Sequence, residues 1–84
     1  MTRQHFPCLI HGPDAGGWYS VVVPGPNVNA QGRTEGEALI AAADSLQELI
    51  DEGFDEHPGD LEAAREPGDR PGIIQVSRLP LPAQ

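Results

Sequence analysis

The sequence predicts an α+β fold of order β-β-β-α-β: a small, mostly antiparallel sheet with one long helix packed on one face. Three observations lead there. Short extended runs at 6–11, 18–23 and 28–31 are separated by breaks rich in glycine and proline. One long segment, 34–50, repeats its apolar residues at spacings of three and four. A final apolar run, Ile73 to Val76, follows a stretch that proline and glycine cut repeatedly. The 84 residues read as one domain. Its core covers about 5–54 plus a last strand at 73–77, with an acidic connection over 55–72 and a tail over 78–84.

Met1 to Gln4 reads as a loose start. In the run Phe6-Pro-Cys-Leu-Ile-His11, Phe6, Cys8 and Ile10 share one face, and Pro7, Leu9 and His11 the other. Pro7 cannot donate a ladder hydrogen bond, so this strand is expected at a sheet edge, or Pro7 at its start. Gly12 to Gly17 is a turn joining two extended runs, which makes a hairpin. Trp18-Tyr-Ser-Val-Val-Val23 is aromatic and β-branched almost throughout, and both of its faces carry apolar residues, so it belongs inside the sheet. Pro24 to Asn27 breaks it, and Val28 to Gln31 is a weaker third strand.

The helix has its own punctuation. Thr34 is a good N-cap, and Glu37 three residues on completes a capping box. Ala38, Leu39, Ala42, Leu46, Leu49 and Ile50 form one apolar stripe. Glu37, Asp44, Ser45, Glu48, Asp51 and Glu52 occupy the other side, and Gly53 can close the helix in the left-handed conformation. Beyond it, Asp60 to Arg65 reads as about one and a half helical turns capped by Asp60. The prolines after Arg78 rule out a continued central strand, so the end is a tail. With a single long helix, the second face of the sheet is expected to stay uncovered.

The formal net charge is −8, from 13 acidic residues against five arginines and no lysine. Every acid but Asp14 lies between Glu35 and Asp69, where only Arg65 offsets them. Such a surface repels phosphate, which disfavours direct nucleic-acid binding, and attracts a basic protein. The plainer reading is that acid keeps a small protein soluble. Met1 to His11 lacks the apolar run of a signal peptide. No segment approaches the roughly 20 apolar residues of a membrane helix. The expected setting is cytoplasmic and soluble, with no membrane contact.

Chemistry-bearing residues do not assemble. His5 and His11 stand about 20 Å apart along one strand, too far to share a metal. His57 lies in a loop beside Asp55 and Glu56, and one cysteine with scattered histidines does not make a tetrahedral zinc set. Ser20, Ser45 and Ser77 lack the context of an activated nucleophile, and Cys8 reads as a buried structural thiol. Gly12-x-x-x-Gly16-Gly17 precedes a strand and therefore lacks the helix N-terminus that cradles phosphate. No catalytic residue, metal ligand or cofactor is expected.

One pattern is specific in its order. An N-terminal strand leads to Asp14-x-Gly16-Gly17-(x)-Tyr19-Ser20-Val21, then Pro24 and a Pro-Gly turn, then Gln31-Gly32-x-Thr34-x-x-Glu37-Ala38 opening an Ala/Leu-rich helix. This resembles the HicB-type antitoxin family of bacterial toxin–antitoxin systems, over about Phe6 to Ile50 with Ile73 to Val76 as the last strand. The resemblance implies a partial ribonuclease-H-like fold and an antitoxin that covers the active site of a small basic RNA-cleaving HicA-type toxin. Trp18 is inserted relative to the family pattern, the turn at Pro24 to Asn27 is contracted, and many relatives carry a further DNA-binding domain that this chain lacks room for. Nucleases of the ribonuclease-H type hold metal on strand carboxylates, and here the strands contain none.

Two functional readings follow. In the first, the chain is an antitoxin-like interaction protein whose partner surface comprises Glu48, Asp51, Glu52, Asp55 and Glu56. Trp18 is a candidate anchor, since aromatic residues dominate interface hot spots. The partner is the HicA-type toxin, or another protein if this is an orphan single-domain relative. In the second, carboxylates and His57 serve a small metal-dependent hydrolase or nuclease. Under either, a homodimer or higher homo-oligomer is expected through an edge strand or the uncovered face.

Overall fold

The computed structural model describes residues 2–78. Four strands, β1 (Thr2–His11), β2 (Tyr19–Val23), β3 (Val28–Gly32) and β4 (Arg70–Arg78), form one sheet of order β3-β2-β1-β4. Every neighbouring pair is antiparallel. Helix α1 (Glu35–Asp51) lies across one face, and a four-residue helix, α2 (Leu61–Ala64), interrupts the connection to β4. The α+β order β-β-β-α-β is thus the one the sequence predicts.

The core is a single layer between sheet and helix. Phe6, Cys8 and Ile10 of β1, Val21 and Val23 of β2, Val28 of β3, and Ile74 and Val76 of β4 meet Ala38, Ala42 and Leu46 of α1. Leu39, Leu49 and Ile50 pack beside them, so the whole predicted stripe faces inward. Phe6, Cys8, Val21, Val23, Ala38, Ala42 and Leu46 are fully buried. At the helix entrance the Thr34 hydroxyl accepts from the Glu37 N–H at 3.1 Å, and the Glu37 carboxylate accepts from the Thr34 N–H at 3.1 Å. At the exit Gly53 takes φ +95° and donates to the Ile50 carbonyl at 3.0 Å, while Phe54 donates to Leu49 at 3.1 Å.

Two strands are longer than the sequence suggests. β1 begins at Thr2, so residues 2–4 are not a loose start, and β4 runs from Arg70 to Arg78. The two strands pair along their lengths, from Thr2 opposite Arg78 to Ile10 opposite Arg70. Polar residues at their far ends hide that pairing, because a ladder is made by backbone groups that every residue carries. The tail from Leu79 onward lies outside the described residues.

β1 is also not an edge strand, and Pro7 is its sixth residue. The reason lies in the alternation of an antiparallel ladder. The Gln47 side chain donates from Nε2 to the Ser77 carbonyl at 2.6 Å and accepts the Ser77 N–H at Oε1 at 2.8 Å. Both backbone groups of Ser77 therefore face away from β1. By alternation those of Pro71, Ile73 and Gln75 do so too, and the even-numbered residues of each strand exchange the β1–β4 bonds. The missing N–H of Pro7 then points towards β2, whose pairing with β1 stops at Leu9. The missing N–H of Pro71 points to the open edge. Neither proline removes a ladder bond.

The second sheet face is partly covered, which corrects the expectation of a bare one. After α1 the chain is pinned to the β2–β3 turn by a 3.0 Å bond from the Gly59 N–H to the Pro24 carbonyl. α2 then reaches β1. Leu9, on the face away from α1, is only 2% exposed although it stands outside the main core cluster. The segment ends where His11 Nδ1 meets Asp69 Oδ1 at 3.0 Å, and Asp69 Oδ2 accepts from the Glu66 N–H at 3.0 Å. Asp60 accepts from the Glu62 N–H at 3.0 Å, the cap expected for α2.

Candidate functional site

Ten of the 13 carboxylates fall into two groups. One group holds the fold. Asp14 Oδ1 accepts from the Gly16 and Trp18 N–H groups at 2.8 and 2.9 Å and so ties the β1–β2 turn. Glu35 pairs with Arg70 at 2.6 Å, and Glu37, Asp60 and Asp69 are occupied as described. The other group is presented to solvent on the last turns of α1. Glu48 and Glu52 are exposed, and among the described residues neither side chain has a hydrogen bond or ion pair. Asp51, also exposed, accepts one bond from Gln47 Nε2 at 3.0 Å. Asp55 follows in the loop, 3.2 Å from His57 Nε2, and Glu56 is half-buried beside it. Glu48, Asp51, Glu52, Asp55 and Glu56 thus lie on one continuous stretch around the C-terminal end of α1, where the helix dipole offers no compensating positive charge.

Trp18 lies elsewhere. It sits in the β1–β2 turn just before β2, whose first residue, Tyr19, pairs with Gly32 at the N-terminal end of α1. A helix of 17 residues is about 25 Å long, so the tryptophan and the acidic group stand at opposite ends of α1. The indole is 37% exposed. The Arg33 guanidinium stacks over it at 4.1 Å from the ring centroid and donates from Nη1 to the Gly16 carbonyl at 3.3 Å. The Arg33 N–H donates to Glu37 Oε2 at 2.9 Å, so the arginine is held from both sides. Nothing local in the chain hints at this pair: fifteen positions separate its members, and the turn and the β2–β3 hairpin bring them together.

Among the described residues, no group of three or more His, Cys, Asp or Glu side chains converges as a metal site. His5 Nε2 is 2.9 Å from Gln75 Nε2, and His11 is engaged with Asp69. Burial pushes the Cys8 thiol up to about 11, far from the range of a reactive thiolate. No described helix is long and apolar enough to cross a membrane.

No protein-family model matches the sequence, and no curated protein matches it. Solved structures do. The crystal structure of the N-terminal domain of Burkholderia pseudomallei antitoxin HicB superposes with a TM-score of 0.63 at 26% identity, covering 84% of this chain and 95% of that one. The chain has a HicB-like fold. The crystal structure of the longer Burkholderia pseudomallei HicB antitoxin matches with a TM-score of 0.61, also at 26% identity and over 84% of this chain. There the match spans 61% of the antitoxin's length. The likeness to HicB supports an antitoxin-like role.

Proposed function

We propose that this HicB-like chain is an antitoxin that binds a small basic RNA-cleaving toxin of the HicA type and covers its active site. The observation that carries the reading is the coincidence of the HicB-like fold with a largely exposed acidic surface around the end of α1. Glu48, Asp51, Glu52, Asp55 and Glu56 form that surface, and opposite charge on a basic partner speeds encounter and fixes orientation. Trp18, stacked on Arg33 at the other end, serves as an apolar anchor outside the acidic contact. The same acid repels nucleic-acid phosphate, so the chain itself makes no direct contact with RNA or DNA. A homo-oligomer and a cytoplasmic setting complete the proposal.

The test is reconstitution with a HicA-type protein. Co-expression should yield a complex that survives purification at low salt and weakens as salt rises. Adding the chain to the isolated toxin should stop RNA cleavage at a fixed molar ratio. Undiminished cleavage at excess antitoxin and low salt would overturn the proposal.

A further inference from the structure

At the N-terminal end of α1 a cation is left without a carboxylate, although acids stand close by. Each of those acids is committed elsewhere: Asp14 to the N–H groups of Gly16 and Trp18, Glu35 to Arg70, and Glu37 to the N–H groups of Arg33 and Thr34. Arg33 has no ion pair among the described residues. Its guanidinium instead lies over the Trp18 ring, 4.1 Å from the centroid, and gives one N–H to the Gly16 carbonyl at 3.3 Å. Both residues are exposed. A guanidinium carries five N–H donors in a fixed fork that matches a carboxylate, so most donors of this one are open. Glu37 holds its backbone, and Asp14 holds the turn that carries its platform. Little side-chain freedom is therefore left to lose on binding.

We propose that Arg33, presented on Trp18, takes a carboxylate side chain of the toxin and so selects the cognate partner. The proposal rests on the antitoxin reading above and assigns it a specificity-determining residue. The acidic surface at the far end of α1 attracts any basic protein, and by itself it discriminates poorly. Arg33 supplies the discrimination. A toxin with Asp or Glu at the facing position gains a two-pronged, charge-assisted pair, and one with Lys or Arg there meets like charge. Both ends of α1 fit under one partner: an interface of about 800 Å² per partner is roughly 32 Å across if round, against the roughly 25 Å of the helix. Trp18 then acts twice, as an apolar contact and as the platform that orients the cation. Covering the pair with a partner also strengthens the stack, because a cation over an indole gains as water leaves it. Phosphate is the other anion a guanidinium fits. A polyanion approaching a chain of net charge −8 is repelled, whereas a single carboxylate carried on a basic protein is not.

Calorimetry of the complex with a HicA-type toxin is the experiment, with a thermal melt of each variant to verify that it folds. Arg33→Ala should weaken binding about tenfold or more, as loss of an interface hot spot does. Arg33→Lys keeps the charge and loses the fork, and should recover only part of that loss. Arg33→Glu should weaken binding further, and one reversal of an acid to arginine on the toxin should restore it. Changing the toxin's exposed acids one at a time locates the position. If Arg33→Glu does not fold, the alanine and lysine variants decide. Affinity within about twofold of the unaltered chain for both, or no toxin reversal that restores a folded Arg33→Glu, overturns the proposal. So does a single-stranded RNA that quenches Trp18 fluorescence in the unaltered chain and not in Arg33→Ala, since the ligand is then a phosphate. A toxin that the unaltered chain does not bind defeats the antitoxin reading and this inference with it. A toxin that is bound and inhibited with no regard to Arg33 defeats this inference alone.

Discussion

Replacing Gly59 with alanine tests whether the acidic connection is fastened to the sheet. Gly59 holds no left-handed conformation, so alanine meets no backbone strain there. The obstacle is steric. A methyl group on Gly59 would come 2.5 Å from the Pro24 carbonyl carbon and 2.8 Å from its oxygen, and would also strike the Gly25 nitrogen. All are backbone atoms that no rotamer change can move. Overpacking of this kind costs about 1–3 kcal/mol if the contact is kept. Releasing the connection instead forfeits the Gly59–Pro24 hydrogen bond, about 1 kcal/mol net, together with some cover over Leu9. The chain takes the cheaper route, so the global loss should be about 1–2 kcal/mol. For a domain of this size that lowers Tm by roughly 5–15 °C. The assay pairs a thermal melt with limited proteolysis. The variant should be cut early between Phe54 and Asp69 while β1 to α1 stays protected. A melt within a degree of the unaltered protein, with the same cleavage pattern, would refute the claim that this segment is docked.

Thr34→Ala removes one half of the capping box and should cost about 1 kcal/mol in a denaturant titration. Neutralising Glu48, Asp51 and Glu52 together, as Gln, Asn and Gln, should slow association with a basic HicA-type toxin and flatten its salt dependence, measured by stopped-flow mixing, with little change in melting. Trp18→Ala should lower the toxin's affinity tenfold or more if the indole is an anchor (about 1.4 kcal/mol per factor of ten), read by calorimetry. The Cys8 thiol is raised from 9.0 to about 11 on folding. The unfolded chain therefore ionises first, so the stability contributed by the neutral buried thiol is complete below about pH 9 and is lost as pH climbs towards 11. A thiol reagent near pH 8 should react with native protein only as fast as it opens.

The helix was the most legible part of the chain. Cap, box, apolar stripe and closing glycine are all local, and each occupies its predicted place. The strands were legible as segments and less so as a sheet. Pro7 misled because a proline's effect depends on which neighbour its missing donor faces, and that follows from register, a non-local quantity. Thr2 to Gln4 and Arg70 to Gly72 carry little apolar signal and are strands because each completes the other's ladder. At the candidate site the acidic face of α1 could be read from spacing alone. The Arg33–Trp18 stack and the Gln47 cap on Ser77 could not, since neither glutamine nor arginine announces a partner fifteen or thirty positions away.

The pairing of Thr2 with Arg78 sets both extremities of the described chain side by side. Segments joined directly before Thr2 or directly after Arg78 would leave the sheet from the same corner, away from the turn that holds Trp18. A short linker there should tolerate circular permutation, with new termini opened between Gly16 and Gly17. The same neighbourhood delays assembly during synthesis: β1 lacks its longest ladder until the last nine described residues have left the ribosome, and until then Phe6 and Cys8 remain half-housed.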